Sequence, residues 1–293
     1  GSPLVHAFFD TPTSTWTFVV VDPNTKKAFI IDSVLDFDPA SGHISTKSAQ
    51  ALAAFVHEKG YTVTRIMETH VHADHATGAL ALKQLKDQIL PGRPPIFIGR
   101  KVSQVQQSFG PQYGFTTQDF ENSYDGYLED GGTLDLGEIS VRTCGLPGHT
   151  PDSMGILIGD SLFAGDSIFL PDVGTARADF PGGSATDLYS SIQHILQLGG
   201  HVRVFSGHDY PVNREKSCMS LISDHVSFNK HVGNGTSEED FRSMREARDA
   251  TLGTPRLLHA SLQINLRGGR IPPPDKEGRR FIRIPLTGDL RIL

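Results

Sequence analysis

The chain has 293 residues, of which 38% are hydrophobic and 20% are charged. This composition is ordinary for a globular protein and allows a sizeable buried core, in one elaborated domain or in two small ones. The formal net charge of −6 argues against broad binding to nucleic acid or to anionic membranes, because no excess of lysine and arginine exists to neutralise phosphates. A small molecule is therefore the expected partner.

Cysteine content and hydropathy indicate the compartment. Cys144 and Cys218 are the two cysteines of the sequence, so no disulfide framework exists, although a single bridge between them is left open. No apolar run approaches the roughly 20 residues of a membrane-spanning helix, and no basic and apolar leader opens the sequence. We therefore expect a cytoplasmic protein that works away from membranes.

The first part of the chain alternates strands and helices. β-Branched and aromatic residues over 16–22 and 27–32 flank a Pro-Asn-Thr turn and predict a β-hairpin. Apolar residues at helical spacing predict a helix over 46–59. A strand over 63–67 and a helix over 76–88 follow.

The middle of the chain is predicted to be mostly β-structure. Four short strands between 133 and 166 are separated by Gly, Pro and Asp and predict a meander. A helix over 186–198 then leads to a short strand over 202–205. This order of elements favours mixed sheets covered by helices.

Beyond residue 211 the composition favours helices. We predict them over 214–231 and 237–252, the second opened by a serine cap, before a tail from residue 267 that is rich in Gly, Pro and Arg. The predicted organisation is a catalytic domain over 3–211, with a helical extension and tail over 212–293 packed on its core.

A dense group of potential metal ligands follows the strand predicted over 63–67. The segment Thr-His-Val-His-Ala-Asp-His places His70, His72, Asp74 and His75 within six residues. Alternate residues of a strand share a face, so His70 and His72 project together, and the next turn brings Asp74 and His75 to the same cavity. Three histidines and an aspartate at this spacing predict a metal site rather than a structural cluster.

Three further polar residues stand at the ends of predicted strands. His149 lies in Gly-His-Thr, Asp166 follows Gly165, and His208 lies in Ser-Gly-His-Asp. Each alone has an ordinary alternative, as a turn residue, a helix cap or a loop histidine. Their repeated position at strand ends favours one shared site.

In order, the motifs THVHADH, GHT, GD and GHD resemble the ligand series of the metallo-β-lactamase superfamily over about the first 210 residues. The resemblance implies an α+β fold, the αββα sandwich of two mixed β-sheets flanked by helices, with the site at one edge. Within the superfamily, the words ETHVHADHATGA and DVGTARADF (residues 172–180) are most similar to the persulfide dioxygenases, also called sulfur dioxygenases.

This resemblance implies one Fe(II) per chain, held by His70, His149 and Asp166. Two imidazoles and one carboxylate form the facial arrangement of non-haem iron enzymes and leave about three positions open for substrate and O₂. The implied reaction converts glutathione persulfide and O₂ to sulfite and glutathione. The remaining polar residues would orient the ligands and bound water: His72, Asp74, His75 and His208.

Two other functions stay open on the sequence. In hydrolytic relatives the same positions hold two zinc ions bridged by the equivalent of Asp166, so the alternative is a dinuclear zinc glutathione thioester hydrolase resembling glyoxalase II. The ligand motifs alone do not separate these cases. A non-catalytic binding module is disfavoured, because all seven ligand positions are filled.

Two residues are candidates for substrate binding. Arg177 lies in the segment 172–180, and its planar guanidinium suits a glutathione carboxylate, with an ion pair to Asp179 as the alternative. Tyr210 follows His208 and either lines the pocket or forms a structural corner. The expected partners are glutathione persulfide and O₂, and a homodimer is compatible with the sequence.

Overall fold

The computed structural model describes residues 1–86 and 90–287. Its first eight strands in chain order are β1 (Leu4–Asp10), β2 (Thr15–Val21), β3 (Lys27–Ile31), β4 (Asp36–Asp38), β5 (His43–Ser45), β6 (Thr62–Met67), β7 (Ile96–Gly99) and β8 (Gly126–Leu128). Six of them form the first sheet, in the order β1-β2-β3-β6-β7-β8, while β4 and β5 pair as a separate ribbon.

The other six strands form the second sheet. They are β9 (Thr133–Leu136), β10 (Ile139–Gly145), β11 (Met154–Ile158), β12 (Ser161–Phe163), β13 (Arg203–Phe205) and β14 (Met219–Leu221). Their order in space is β14-β13-β12-β11-β10-β9. Both sheets are mixed, because β3, β6, β7 and β8 run parallel in the first sheet and β12 and β13 run parallel in the second.

Helices cover the outer faces of both sheets. They are α1 (Lys47–Glu58), α2 (Ala79–Lys83), α3 (Val102–Phe109), α4 (Thr117–Phe120), α5 (Ala185–Leu196), α6 (Ile222–Phe228), α7 (Glu238–Asp249) and α8 (Leu258–Asn265). Among residues 1–86 and 90–287, no helix has the length and apolar character needed to cross a membrane.

Three apolar layers hold this sandwich together. Between the sheets, Phe18 of β2 packs edge-on against Phe163 of β12, with ring centroids 5.2 Å apart. Outside the first sheet, helices α1, α3 and α8 share one cluster, and outside the second sheet α5, α6 and α7 share another. The four-layer αββα architecture predicted from the sequence is therefore confirmed.

The hairpin, the helix α1 and the meander lie within a few residues of their predicted positions, but two other predicted helices differ from the structure. The helix predicted over 76–88 is present only as α2, and residues 87–88 lie outside the described part of the chain. The helix predicted over 214–231 is wrong in its first half, where β14 pairs with β13. A three-residue strand is too short to show an alternating pattern.

Helix α8 was not predicted. Its residues from Ala260 to Asn265 are all buried, polar side chains included, so no polar face marks the helical period. The predicted boundary between the catalytic domain and the extension, at residue 211, stays a prediction. The last six residues of that extension, 288–293, lie outside the described residues. Within that extension, β14 belongs to the second sheet and α8 to the core of the first.

A buried histidine of α6 should make the fold sensitive to acid. Burial lowers the pKa of His225 to about 4, below its unfolded value of about 6.5. Because this pKa is depressed in the folded state, stability is full above about pH 6.5 and is lost as the pH falls towards 4, by about 3 kcal/mol in total.

When the pH falls from about 7.5 to about 5, the free energy of unfolding should decrease less in His225→Gln than in the parent chain. Urea unfolding of both proteins at the two pH values measures this difference. An equal loss in the two proteins would show that His225 is not the source of the acid sensitivity.

Candidate metal centre

The loop that carries the first histidines joins β6 to α2 and is held by buried carboxylates. Residues 68–78 contain neither helix nor extended strand. Asp32, at the end of β3, accepts hydrogen bonds from the backbone N of Thr69 at 2.7 Å and from its Oγ1 at 2.7 Å. Asp152 accepts one from the backbone N of Val71 at 2.9 Å. The loop is therefore fixed from outside rather than by its own backbone.

The first donor group consists of His70, His149 and Asp166. One donor atom from each lies within 4.8 Å of the others. The Asp166 Oδ2 is 3.9 Å from Nε2 of His70 and 3.7 Å from Nε2 of His149. The other ring nitrogen of His149 is 2.8 Å from the carbonyl oxygen of Arg177, and that of His70 is 3.0 Å from Oγ1 of Thr69. Both rings are thus held with Nε2 towards Asp166.

The second donor group consists of Asp74, Asp166 and His208. The Nε2 of His208 lies 3.1 Å from Oδ2 of Asp74 and 3.4 Å from Oδ2 of Asp166. Its Nδ1 lies 2.9 Å from the carbonyl oxygen of Ser14. Asp166 therefore belongs to both groups, as a bridging carboxylate would.

His72 and His75 stand beside these groups. The Nε2 of His72 is 3.1 Å from Oδ1 of Asp32 and 3.1 Å from Oε2 of Glu68. Burial opposes protonation, but Asp32 and Glu68 raise the pKa of His72 well above its ordinary value. His72 and His75 form a further potential ligand set with Asp74, and neither belongs to the first donor group.

The chemistry of these residues fits a bound metal ion. Several of their buried atoms lack a hydrogen-bond partner within the described chain: Nε2 of His70, Nδ1 of His72, Nε2 of His75 and Oδ1 of Asp166. Buried polar atoms are normally paired, and a ligating histidine normally engages its other ring nitrogen, as these histidines do. The buried clusters are consistent with metal binding, while the identity and number of the ions stay open.

The protonation states of His70, His75 and Asp166 agree with this interpretation. Burial, together with the neighbouring His72, lowers the pKa of His70 well below its ordinary value and that of His75 to about 4. Burial alone would raise the pKa of Asp166, but the histidines around it, His208 first, lower it. Near neutral pH His70 and His75 are therefore uncharged and Asp166 is ionised, which are the forms that bind metal. Burial opposes protonation of His208, but the carboxylates of Asp166 and Asp74 raise its pKa well above the ordinary value.

Glycines bring the strand-end residues close to neighbouring backbone. Gly148, just before His149, has φ +139° and faces Leu188 of α5, whose Cα would lie 2.3 Å from an added Cβ. Gly207, just before His208, approaches Asp166 in the same way, with its Oδ1 2.6 Å from such a Cβ. A larger residue at either position would displace the donor next to it.

A cavity of about 400 Å³ opens over both donor groups. Its wall combines side chains of the metal centre with Phe169 and Phe180, and with residues of α7 and the segment after it. Three arginines line it: Arg177, Arg245 and Arg248. An apolar and cationic wall over a metal centre suits a small anionic substrate.

The two predicted substrate residues both line this cavity. Tyr210 is half exposed and stacks on the ring of His208 at 5.8 Å. Arg177, however, is paired with Asp179 through two hydrogen bonds of 2.6 Å, and it also donates to the carbonyl oxygen of Gly253. The pair with Asp179 is the alternative that the sequence left open, so a role of Arg177 in substrate binding stays a prediction.

Sequence reasoning missed the residues that hold the metal loop. Asp32 and Glu68 each follow directly on an apolar strand, a signal that could have drawn attention to them. Asp152 lies three residues beyond His149. Asn265 is 190 residues beyond His75, and no local pattern marks it. Contacts of this kind become visible only in the folded chain.

Comparison with known proteins gives the family. The model of the metallo-beta-lactamase superfamily matches residues 10–208. This chain therefore belongs to the metallo-beta-lactamase superfamily, as the ligand motifs predicted. Among solved structures, ETHE1 from Myxococcus xanthus superposes with a TM-score of 0.72 at 26% identity, covering 91% of this chain and 100% of the other.

More similar relatives carry other names. A beta-lactamase hydrolase-like protein of Xylella fastidiosa is 44% identical over 98% of this chain, which spans 65% of that protein's length. Glyoxylase B2 of Dictyostelium discoideum is 38% identical over 97% of both chains. The mitochondrial persulfide dioxygenase ETHE1 of Bos taurus is more distant, at 27% identity over 94% of this chain and 92% of its own. The motifs predicted the persulfide dioxygenase branch, but this named persulfide dioxygenase is less similar to the chain than the hydrolase-like protein and glyoxylase B2 are.

Proposed function

We propose that this chain is a glutathione-dependent persulfide dioxygenase that uses one Fe(II). The observation that carries the proposal is the composition of the first donor group, with two imidazoles and one carboxylate, which is the set that non-haem iron oxygenases use. His72 lies outside this group, and its Nε2 is engaged by Asp32 and Glu68. The relation to the mitochondrial persulfide dioxygenase, over 94% of this chain, adds support.

The side chains of the centre have separate tasks in this reaction. His70, His149 and Asp166 would hold the iron, which would supply the redox chemistry for oxidation of the persulfide sulfur by O₂. The carbonyl oxygen of Arg177 holds the His149 ring by its Nδ1, which fixes the direction of Nε2. Phe169 and Phe180 give the cavity wall apolar surface beside the metal centre. The overall reaction consumes glutathione persulfide, O₂ and water and yields glutathione and sulfite.

The substrate carboxylates need a cation, and Arg248 of α7 is the arginine best placed to supply one. Its guanidinium lines the cavity and makes no ion pair or side-chain hydrogen bond with the described residues. The guanidiniums of Arg177 and Arg245 are already paired, with Asp179 and Asp249 respectively. An unpaired guanidinium is free to form two parallel hydrogen bonds with a carboxylate.

We expect Arg248→Ala to lower kcat/KM for glutathione persulfide by about ten- to a hundredfold, mainly through KM. Arg177→Ala should have the same effect if Arg177 leaves Asp179 to bind substrate, and metal content should stay unchanged in both variants. Steady-state kinetics of the two variants measure the change in kcat/KM. Arg242→Ala, on the exposed side of α7, is the control. An unaltered kcat/KM in Arg248→Ala would remove Arg248 from the substrate site.

A dinuclear zinc hydrolase of glutathione thioesters is the second candidate. The second donor group favours the hydrolase, because Asp166 belongs to both groups and Asp74 and His208 supply two further donors for a second ion. The names of the relatives at 44% and 38% identity, hydrolase-like protein and glyoxylase B2, also favour the hydrolase over the dioxygenase. On names alone, the hydrolase is therefore the better supported of the two.

A direct comparison of the two activities tests the proposal. Protein reconstituted anaerobically with Fe(II) should consume O₂ when glutathione persulfide is added and should release sulfite in equal amount. Protein loaded with Zn²⁺ should show little hydrolysis of a glutathione thioester. Rapid thioester hydrolysis without persulfide-dependent O₂ uptake would overturn the dioxygenase in favour of the hydrolase.

A further inference from the structure

Helix α8 reaches the metal loop from a part of the chain beyond the family model. The superfamily match ends at residue 208, whereas α8 spans Leu258–Asn265. Leu262, in the middle of α8, packs in the core outside the first sheet, and the last residue of the helix, Asn265, is 2% exposed. The end of α8 is therefore buried beside the loop of residues 68–78.

The side-chain amide of Asn265 bonds to the backbone of that loop in three places. Its Nδ2 donates to the carbonyl oxygens of His72 and His75, both at 2.8 Å. Its Oδ1 accepts a hydrogen bond from the backbone N of Thr77, also at 2.8 Å. One amide thus satisfies three buried backbone groups in the segment that carries the histidines.

The backbone at the end of α8 is anchored in turn. The hydroxyl of Tyr124 donates to the carbonyl oxygen of Asn265 at 2.6 Å. The side chain of Gln106, in α3, donates to the carbonyl oxygen of Leu266 at 2.9 Å. These bonds fix the position from which Asn265 holds the loop.

Asparagine suits this position better than similar side chains. An aspartate would present a carboxylate to two carbonyl oxygens and offer them no donor. A leucine of similar size would leave three buried backbone groups unpaired, each a substantial loss of free energy. The pattern of two donors and one acceptor matches the amide and neither alternative.

We propose that Asn265 is a positioning residue of the metal centre, and that α8 is a working part of that centre. Asn265 sets the backbone on both sides of Asp74 and so the directions of the donor atoms of His72, Asp74 and His75. Binding of metal and packing of α8 therefore support each other. The inference concerns the shared loop and does not depend on which metal or which reaction the centre uses.

Two substitutions with a matched control test the role of Asn265. We expect Asn265→Leu and Asn265→Asp to bind Co²⁺ about ten- to a hundredfold more weakly than the parent chain. The visible absorption of the bound Co²⁺ should also change, because the loop that Asn265 holds also carries His70 of the first donor group. Gln263→Leu is the control, since Gln263 is a buried amide of the same helix that bonds to Arg283 and His259 instead of the loop.

Gln263→Leu should lose stability but keep the parent affinity and the parent Co²⁺ spectrum. Unchanged affinity and spectrum in folded Asn265→Leu would overturn the proposal, as would an equal loss of affinity in Gln263→Leu. If Asn265→Leu does not fold, amide hydrogen exchange of the unaltered protein, with and without Co²⁺, tests the proposal instead. Co²⁺ should slow exchange in α8 more than in α1, and equal slowing in the two helices would also overturn the proposal.

Discussion

Replacing His149 with alanine should remove metal from the first donor group and abolish activity. His149 supplies one of the three donors of that group, and its ring is held in place by the carbonyl oxygen of Arg177. Losing a residue that only orients a ligand weakens metal binding by about ten- to a hundredfold. Losing the ligand itself should therefore lower metal affinity and kcat by more than about a hundredfold.

Metal analysis and activity assays of His149→Ala, after equal reconstitution, check this expectation. His194→Ala is the matched control, because His194 is an exposed histidine of α5 that belongs to no donor group within the described chain. A His149→Ala protein that keeps full metal content and activity would show that the first donor group is wrongly assigned.

Among the substitutions considered, Asp32→Ala should lower the free energy of unfolding most. Its buried carboxylate accepts two hydrogen bonds from Thr69 and faces Nε2 of His72. Alanine would leave these buried groups without their partner, and removal of one side of such a buried pair lowers the free energy of unfolding by about 3–5 kcal/mol. Metal affinity should fall as well, because the loop that carries His70 loses its anchor.

Urea unfolding of Asp32→Ala measures the loss of stability. Asp36→Ala is the comparison, because the half-buried Asp36 also accepts two hydrogen bonds, both from Ser48 at the start of α1. Loss of such a helix-end interaction lowers the free energy of unfolding by about 1 kcal/mol. A loss in Asp32→Ala no greater than in Asp36→Ala would contradict the role of Asp32 as an anchor of the loop.

Local sequence patterns were sufficient to predict the sandwich and to single out the candidate donors. The strand-end positions of His149 and Asp166 are local features, and the structure brings both residues to His70. The expectation that His70 and His72 project together from a strand is not met, because β6 ends at Met67 and the two histidines belong to different donor groups. Their roles as ligands stay predictions. The family follows from the same motifs and is confirmed by the match over residues 10–208.

The contacts that hold the centre could not be predicted in this way. Asp32 meets the loop across 37 residues of sequence and Asn265 across 193. Neither separation leaves a periodic signal, because such contacts depend on how β3 and α8 pack. Helix α8 escaped prediction for the related reason that it is buried on all sides. Arg248 lies on α7, whose entry into the cavity wall also depends on tertiary packing.

The metal content per chain of anaerobically purified protein tests the central claim most directly. A facial group of His70, His149 and Asp166 predicts one iron per chain, with the second donor group left to orient water. The same preparation of Asp74→Ala should retain most of its iron, because Asp74 does not belong to the first donor group. Two zinc ions per chain in the parent protein, with one of them lost in Asp74→Ala, would contradict the dioxygenase and support the dinuclear hydrolase.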